Sequence, residues 1–173
     1  MVHNITPLRN FANSIGLPLY FENLKDRIGF YTSSKNKSEV KIVVKQSCSK
    51  HKKIMILAHE LGHSLQSPSE FETFRNKNEI TDKCEFVMAI EIDAWDKGEL
   101  LIKKLYKNLP NQFWVEFNEF KELCLGTYKI AFKDYYNGSR LYEKYINFIY
   151  NNHADVQPVG IEFFNSLCDE STM

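Results

Sequence analysis

The sequence has no excess of charge of either sign, because 22 Lys and Arg residues balance 22 Asp and Glu residues. A balanced composition gives no overall electrostatic attraction to nucleic acid or to an anionic membrane surface. No apolar run approaches the ~18 residues of a membrane-spanning helix, and the first residues lack the charged start and apolar stretch of a signal peptide. We therefore expect a cytoplasmic protein that binds neither nucleic acid nor a membrane directly.

Paired cysteines are also missing. The four cysteines are scattered along the chain and form no C-x-x-C pair: Cys48, Cys84, Cys124 and Cys168. This spacing favours neither a disulfide framework nor a zinc site built from thiolates. Free or buried thiols in a reducing compartment are the expected state, and any metal site must use other side chains.

The chain shows no internal repeat, no low-complexity tract and no linker that would divide it. Its 173 residues are enough for one domain with a real hydrophobic core. We therefore predict a single domain over residues 1–173, with its core at about 8–109. Residues from about 110 to 173 form a helical, aromatic-rich C-terminal extension, whose aromatic side chains we expect to be buried.

Hydrophobic periodicity predicts an α+β fold with a short sheet and a mostly helical C-terminal half. Two runs rich in β-branched and aromatic residues, at 28–33 and 38–45, are separated by polar residues and predict a hairpin. Apolar residues at helical spacing predict three helices before Pro110, and the first of them ends at a glycine. These helices cover about 5–16, 52–66 and 82–107, with a polar loop at 67–81.

The second predicted helix contains the motif "AHELGH" at 58–63. His59 and His63 lie four residues apart, so they share a helix face and can direct both imidazoles at one metal ion. Glu60 lies beside that ion, where it can take a proton from a bound water whose pKa zinc lowers from about 16 to about 7. Gly62 is costly inside a helix and indicates a place where something must approach the helix backbone closely. A zinc site with its own general base is favoured over two chance histidines on a surface helix.

A third metal ligand must come from another element. His51 and His153 are available, and "AIEIDAWDKGELL" in the next helix offers Glu91 and Asp93. Each residue adds about 100° around a helix, which places these two carboxylates on opposite flanks of the apolar stripe. Periodicity therefore leaves Glu91 and Asp93 both open.

The order of these features resembles the ImmA/IrrE-type metallopeptidases, which are small cytosolic zincins associated with phages and mobile elements. The resemblance covers about residues 8–105 and depends on "ILAHELGHSLQ" and the downstream "EIDAW". It implies a zincin-like core, Zn²⁺ as cofactor and a helix-turn-helix repressor as substrate. It also implies that the acidic residue before the alanine is the third ligand, which is Asp93 here. The family commonly has Glu at that position, so Glu91 stays as the alternative.

The function expected from these observations is that of a zinc endopeptidase, a hydrolase. His59, His63 and Asp93 would hold the metal, Glu60 would activate water, and an edge strand near 38–45 would align an extended substrate. The alternative is a non-proteolytic anti-repressor or regulatory partner whose fold zinc stabilises. Structural zinc sites normally have four protein ligands, so a fourth ligand such as His51 or His153 would favour that alternative.

Overall fold

The computed structural model describes residues 4–25, 27–32, 40–67 and 82–140, together with the isolated positions 69, 72, 76, 143, 144, 146 and 147. Four helices and three strands are defined within these residues, so the fold class is α+β, as expected. In chain order they are α1 (Thr6–Ser14), β1 (Leu19–Glu22), β2 (Gly29–Thr32), β3 (Lys41–Lys45), α2 (Lys50–Ser64), α3 (Lys83–Leu105) and α4 (Asn111–Tyr136). His153 and Cys168 lie outside the described residues.

The sheet has the strand order β1-β3-β2, with β3 in the centre. Strand β3 pairs antiparallel with β2, as the hairpin prediction required, and parallel with β1, so that Val43 lies opposite both Phe30 and Tyr20. The prediction that residues 38–45 supply a free edge is therefore wrong, because β3 is paired on both sides. Among the described strands, the edges are β1 and β2.

Helix α2 is enclosed by the rest of the protein. The Ser49 hydroxyl accepts a hydrogen bond from the Lys52 backbone N–H at 3.3 Å, which caps the N-terminus. Five consecutive residues, 54–58, are at most 1% exposed. A helix that is apolar nearly all round must be covered on most sides, and α2 accordingly packs against β2, β3 and α3. The histidine motif therefore sits on one of the best-buried elements of the protein.

The α2 and α3 backbones touch at two glycines. A Cβ atom on Gly62 would overlap the carbonyl oxygen of Ala94, and one on Gly98 would lie 2.6 Å from the carbonyl oxygen of Ala58. The close approach expected at Gly62 is thus confirmed, and Ala94 is the residue that makes it. Because these contacts leave no room for a side chain, they fix the separation and rotation of the two helices that carry the candidate site.

Replacing Gly62 with Ala should destabilise the fold. Forcing a methyl group into a packed core costs about 1–3 kcal/mol, more than the gain in helix propensity. Gly126 in α4 provides a matched control, because its Cβ position has no neighbour within 4 Å. There the same change should raise the free energy of unfolding by about 0.5–1 kcal/mol. Urea unfolding of both variants measures the difference, and equal stabilisation by the two substitutions would contradict the described helix contact.

The first half of α4 belongs to the same core as the rest of the protein. Phe113 and Phe117 are fully buried, and Phe117 meets the ring of Trp95 edge-on at 5.6 Å. These aromatic side chains are core residues, as expected from the sequence. None of the described helices is long and apolar enough to cross a membrane.

Candidate metal centre

Two histidines and one carboxylate converge between α2 and α3. The Nε2 atoms of His59 and His63 lie 3.3 Å and 3.5 Å from Glu91 Oε2, and their side chains are only 12% and 15% exposed. One ligand atom from each of the three residues falls within 4.8 Å of the other two. The i, i+4 spacing places both imidazoles on one face of α2, and the close crossing of α3 brings Glu91 to them.

The Glu91 carboxylate shows how well these residues fit a metal ion. Its Oε2 atom is buried and makes no hydrogen bond of normal geometry within the described part of the chain. A buried carboxylate oxygen that is held only by two long contacts to imidazoles is costly, and a cation between this oxygen and the two ring nitrogens would satisfy it. Two imidazoles and one carboxylate are a known catalytic zinc ligand set that leaves a position open. The donor chemistry therefore fits Zn²⁺.

Asp93 lies outside this cluster. It is two residues, or about 200° of helix rotation, away from Glu91, so both side chains cannot face α2. Lys97 Nζ contacts both Asp93 carboxylate oxygens at 3.1 Å and 2.9 Å, and Gln66 Nε2 donates to Oδ2 at 3.0 Å. The structure therefore brings the alternative, Glu91, and not the predicted Asp93, to the two histidines.

Glu60 is buried next to the cluster and against strand β2. It is 6% exposed, the backbone N–H of Tyr31 hydrogen bonds to its carboxylate, and a Cβ atom on Gly29 would lie 3.1 Å from its Oε1 atom. Burial raises the pKa of Glu60, the nearby histidines oppose this rise, and the Glu91 charge adds to it. A buried carboxyl group with a raised pKa beside a possible metal site is a candidate general base.

His51 is not part of the cluster. Its Nδ1 atom lies 3.0 Å from Glu116 Oε2, and its ring meets Phe113 edge-on at 5.5 Å. It precedes His59 by eight residues, which is about 12 Å along the helix axis. No fourth His, Cys, Asp or Glu joins the three ligands among the residues that the structure describes. Within that part of the chain, the cluster has three members.

Two residues that support the histidines were not identified from the sequence. Trp95 stacks on His59 with ring centroids 4.3 Å apart, and Gln66 Oε1 lies 2.9 Å from His63 Nδ1. The spacing of the sequence could have indicated both contacts, because Gln66 follows His63 by three residues and Trp95 follows Glu91 by four. Side chains at these separations are neighbours on a helix face or in its final turn.

Zinc affinity should rise with pH because of His63. Burial alone would lower the pKa of His63, but the nearby Glu91 and Glu60 carboxylates outweigh it and raise the pKa to about 9. Zinc binds the neutral ring, so it must displace this proton, and apparent affinity should increase about tenfold per pH unit below pH 9. Competition titrations across about pH 6.5–9 measure this slope, and a pH-independent affinity over that range would contradict it.

The same shift affects the stability of the metal-free protein. The pKa of His63 in the folded protein lies above the ordinary value of 6.5. Proton binding by His63 therefore stabilises the fold fully below about pH 6.5. That contribution is lost as pH rises through about 9. Zinc-loaded protein, whose His63 carries metal instead of the second proton, should not lose this stability over the same range.

Comparison with protein-family models, curated proteins and solved structures gives no match to this chain. The resemblance to ImmA/IrrE-type metallopeptidases therefore stays a prediction.

Proposed function

We propose that this protein is a zinc-dependent hydrolase that cleaves a peptide bond in a cytoplasmic protein. The observation that carries the proposal is the convergence of His59 Nε2, His63 Nε2 and Glu91 Oε2 beside the buried carboxylate of Glu60. Three protein ligands leave a coordination position for water or substrate, as in catalytic rather than structural zinc sites. When bound there, zinc would polarise the scissile carbonyl and make water more acidic.

Glu60 would be the general base and then the general acid. Burial against β2 raises its pKa above the ordinary value, which favours uptake of a proton from the attacking water. The same carboxyl group would then pass that proton to the leaving amine as the peptide C–N bond breaks. The Tyr31 backbone N–H would hold the carboxylate in place between these two steps.

Strand β2 is the element best placed to align a substrate. It is an edge strand among the described residues, and the hydrogen bond from Tyr31 to Glu60 places it directly beside the proposed base. An extended peptide can add to such an edge through main-chain hydrogen bonds. This role replaces the one expected for residues 38–45, and it completes the zincin-like arrangement that we propose.

The proposed substrate is a helix-turn-helix repressor, the class implied by the sequence resemblance. The test uses the purified full chain with zinc, a panel of such repressors and an unfolded protein, with mass spectrometry of the products. We expect repressor fragments that vanish when a chelator removes the metal and return when zinc is restored. Cleavage that persists in chelator would contradict the metal mechanism, and repressors left intact by the zinc-loaded protein would contradict the substrate.

A further inference from the structure

Gln66 connects the candidate metal site to the surface of α3. It follows the end of α2, and its side chain is fully buried. Its Oε1 atom lies 2.9 Å from His63 Nδ1, and its Nε2 atom donates to the Ile90 carbonyl oxygen at 2.6 Å and to Asp93 Oδ2 at 3.0 Å. All three contacts are to groups on or beside the two helices that carry the ligands.

These contacts determine which His63 nitrogen carries a proton. The Ile90 carbonyl and the Asp93 carboxylate can only accept hydrogen bonds, so the group that faces both must be the amide NH₂ of Gln66. Its Oε1 atom, which can only accept, must then face His63. His63 Nδ1 is consequently the donor and keeps its proton whether the ring is neutral or charged.

The proton on Nδ1 leaves Nε2 as the nitrogen of His63 that can bind a metal ion. In the neutral ring with a proton on Nδ1, the lone pair lies on Nε2, the atom 3.5 Å from Glu91 Oε2. We propose that Gln66 is a positioning residue that holds His63 in the tautomer and orientation required for metal binding. This inference rests on the proposed metal site. Lys97 contacts both oxygens of Asp93 and so holds in place the carboxylate that accepts a hydrogen bond from Gln66.

His59 provides an internal comparison. Its Nδ1 atom is buried with no hydrogen-bond partner among the described residues, and its ring is held instead by stacking on Trp95. Gln66 therefore acts on one of the two imidazoles. A change at Gln66 should alter the ring proton of His63 and leave that of His59 unchanged, which a general loss of structure would not do.

The first test is nitrogen NMR of the metal-free wild-type chain. We expect a slowly exchanging Nδ1 proton on His63 that gives cross-relaxation to the Gln66 side chain. A His63 ring that keeps its proton on Nε2 when high pH makes it neutral, or an Nδ1 proton that exchanges as fast as that of an exposed histidine, would overturn the inference. This measurement requires no zinc and no variant, so it remains decisive if a Gln66 variant does not fold.

The second test compares Gln66→Met with Gln112→Met. Gln112 is exposed and has one long contact to Glu116, at 3.4 Å. Contacts that orient metal-bound histidines are typically worth about 10–100-fold in metal affinity. Gln66→Met should therefore weaken zinc binding by about that factor. Gln112→Met should leave zinc affinity unchanged. A folded Gln66→Met protein with wild-type zinc affinity would overturn the inference. A wild-type chain that binds no zinc would instead contradict the proposed function.

Discussion

Replacing Glu60 with Gln should slow substrate cleavage by about 10²–10⁴-fold while zinc binding is preserved. Gln keeps the size of the side chain and can still accept the Tyr31 hydrogen bond, but it cannot take a proton from water. Since Glu60 is not one of the three converging ligands, loss of its charge should leave the metal in place. Cleavage rate and zinc content are measured on the same preparation.

The matched control for this substitution is Glu119→Gln, which makes the same chemical change at an exposed position of α4. It should cleave at the wild-type rate. The decisive comparison is made in cells that carry a repressed reporter gene. If Glu60→Gln relieves repression as strongly as the wild-type protein, the protein acts by binding, as an anti-repressor with a zinc-stabilised fold, and the peptidase proposal is wrong.

Glu91→Gln should reduce zinc affinity by more than the roughly 10–100-fold that an orienting contact is worth, because it removes a charged ligand. The pKa of Glu91 lies well below its usual range: burial would raise it, but the charge of His63 outweighs that effect. The carboxylate is therefore ionised and ready to bind metal over the whole neutral range. The amide of Gln is uncharged and a much poorer zinc ligand.

Asp93→Asn is the matched control for Glu91→Gln, since both substitutions convert a carboxylate to an amide on α3. Asn can still accept hydrogen bonds from Gln66 and Lys97, so zinc affinity should change by only a few-fold. A zinc competition assay ranks the two variants. If Asp93→Asn lost more affinity than Glu91→Gln, Asp93 would be the ligand and the observed helix rotation would be wrong for the metal-bound protein.

Helix α2 could be predicted from the sequence because the pattern that indicates it involves residues close together in the chain. His59 and His63 are four residues apart, and periodicity alone places them together on one face of an amphipathic helix. The same reasoning predicted α3 at about 82–107, close to its described bounds of Lys83–Leu105. Gly62 was also interpreted correctly, because a glycine inside a helix has a conformational cost that close packing explains.

The carboxylate that joins the two histidines could not be predicted, because its identity depends on how two helices meet. Glu91 and Asp93 flank the same apolar stripe, and only the rotation of α3 against α2 selects between them. That rotation is set by the contact of Gly62 with Ala94, a packing detail that no local pattern contains. The resemblance indicated Asp93 by its place before the alanine, and the structure gives this residue a supporting position instead.

The edge strand was assigned wrongly for a related reason. Residues 28–33 and 38–45 read as a hairpin, and in an isolated hairpin either strand has a free edge. Strand β1 has only four residues and no local turn signal that links it to the pair. Its parallel pairing covers the outer side of β3 and leaves β2 beside Glu60.

The central claim is that His59, His63 and Glu91 form a zinc site, and metal stoichiometry tests it most directly. The full chain is purified without added metal, analysed for its metal content, stripped with chelator and titrated with zinc. We expect one zinc per chain, bound again after stripping and bound much more weakly by Glu91→Gln. A folded protein that contains no metal and takes up none on titration would contradict the account.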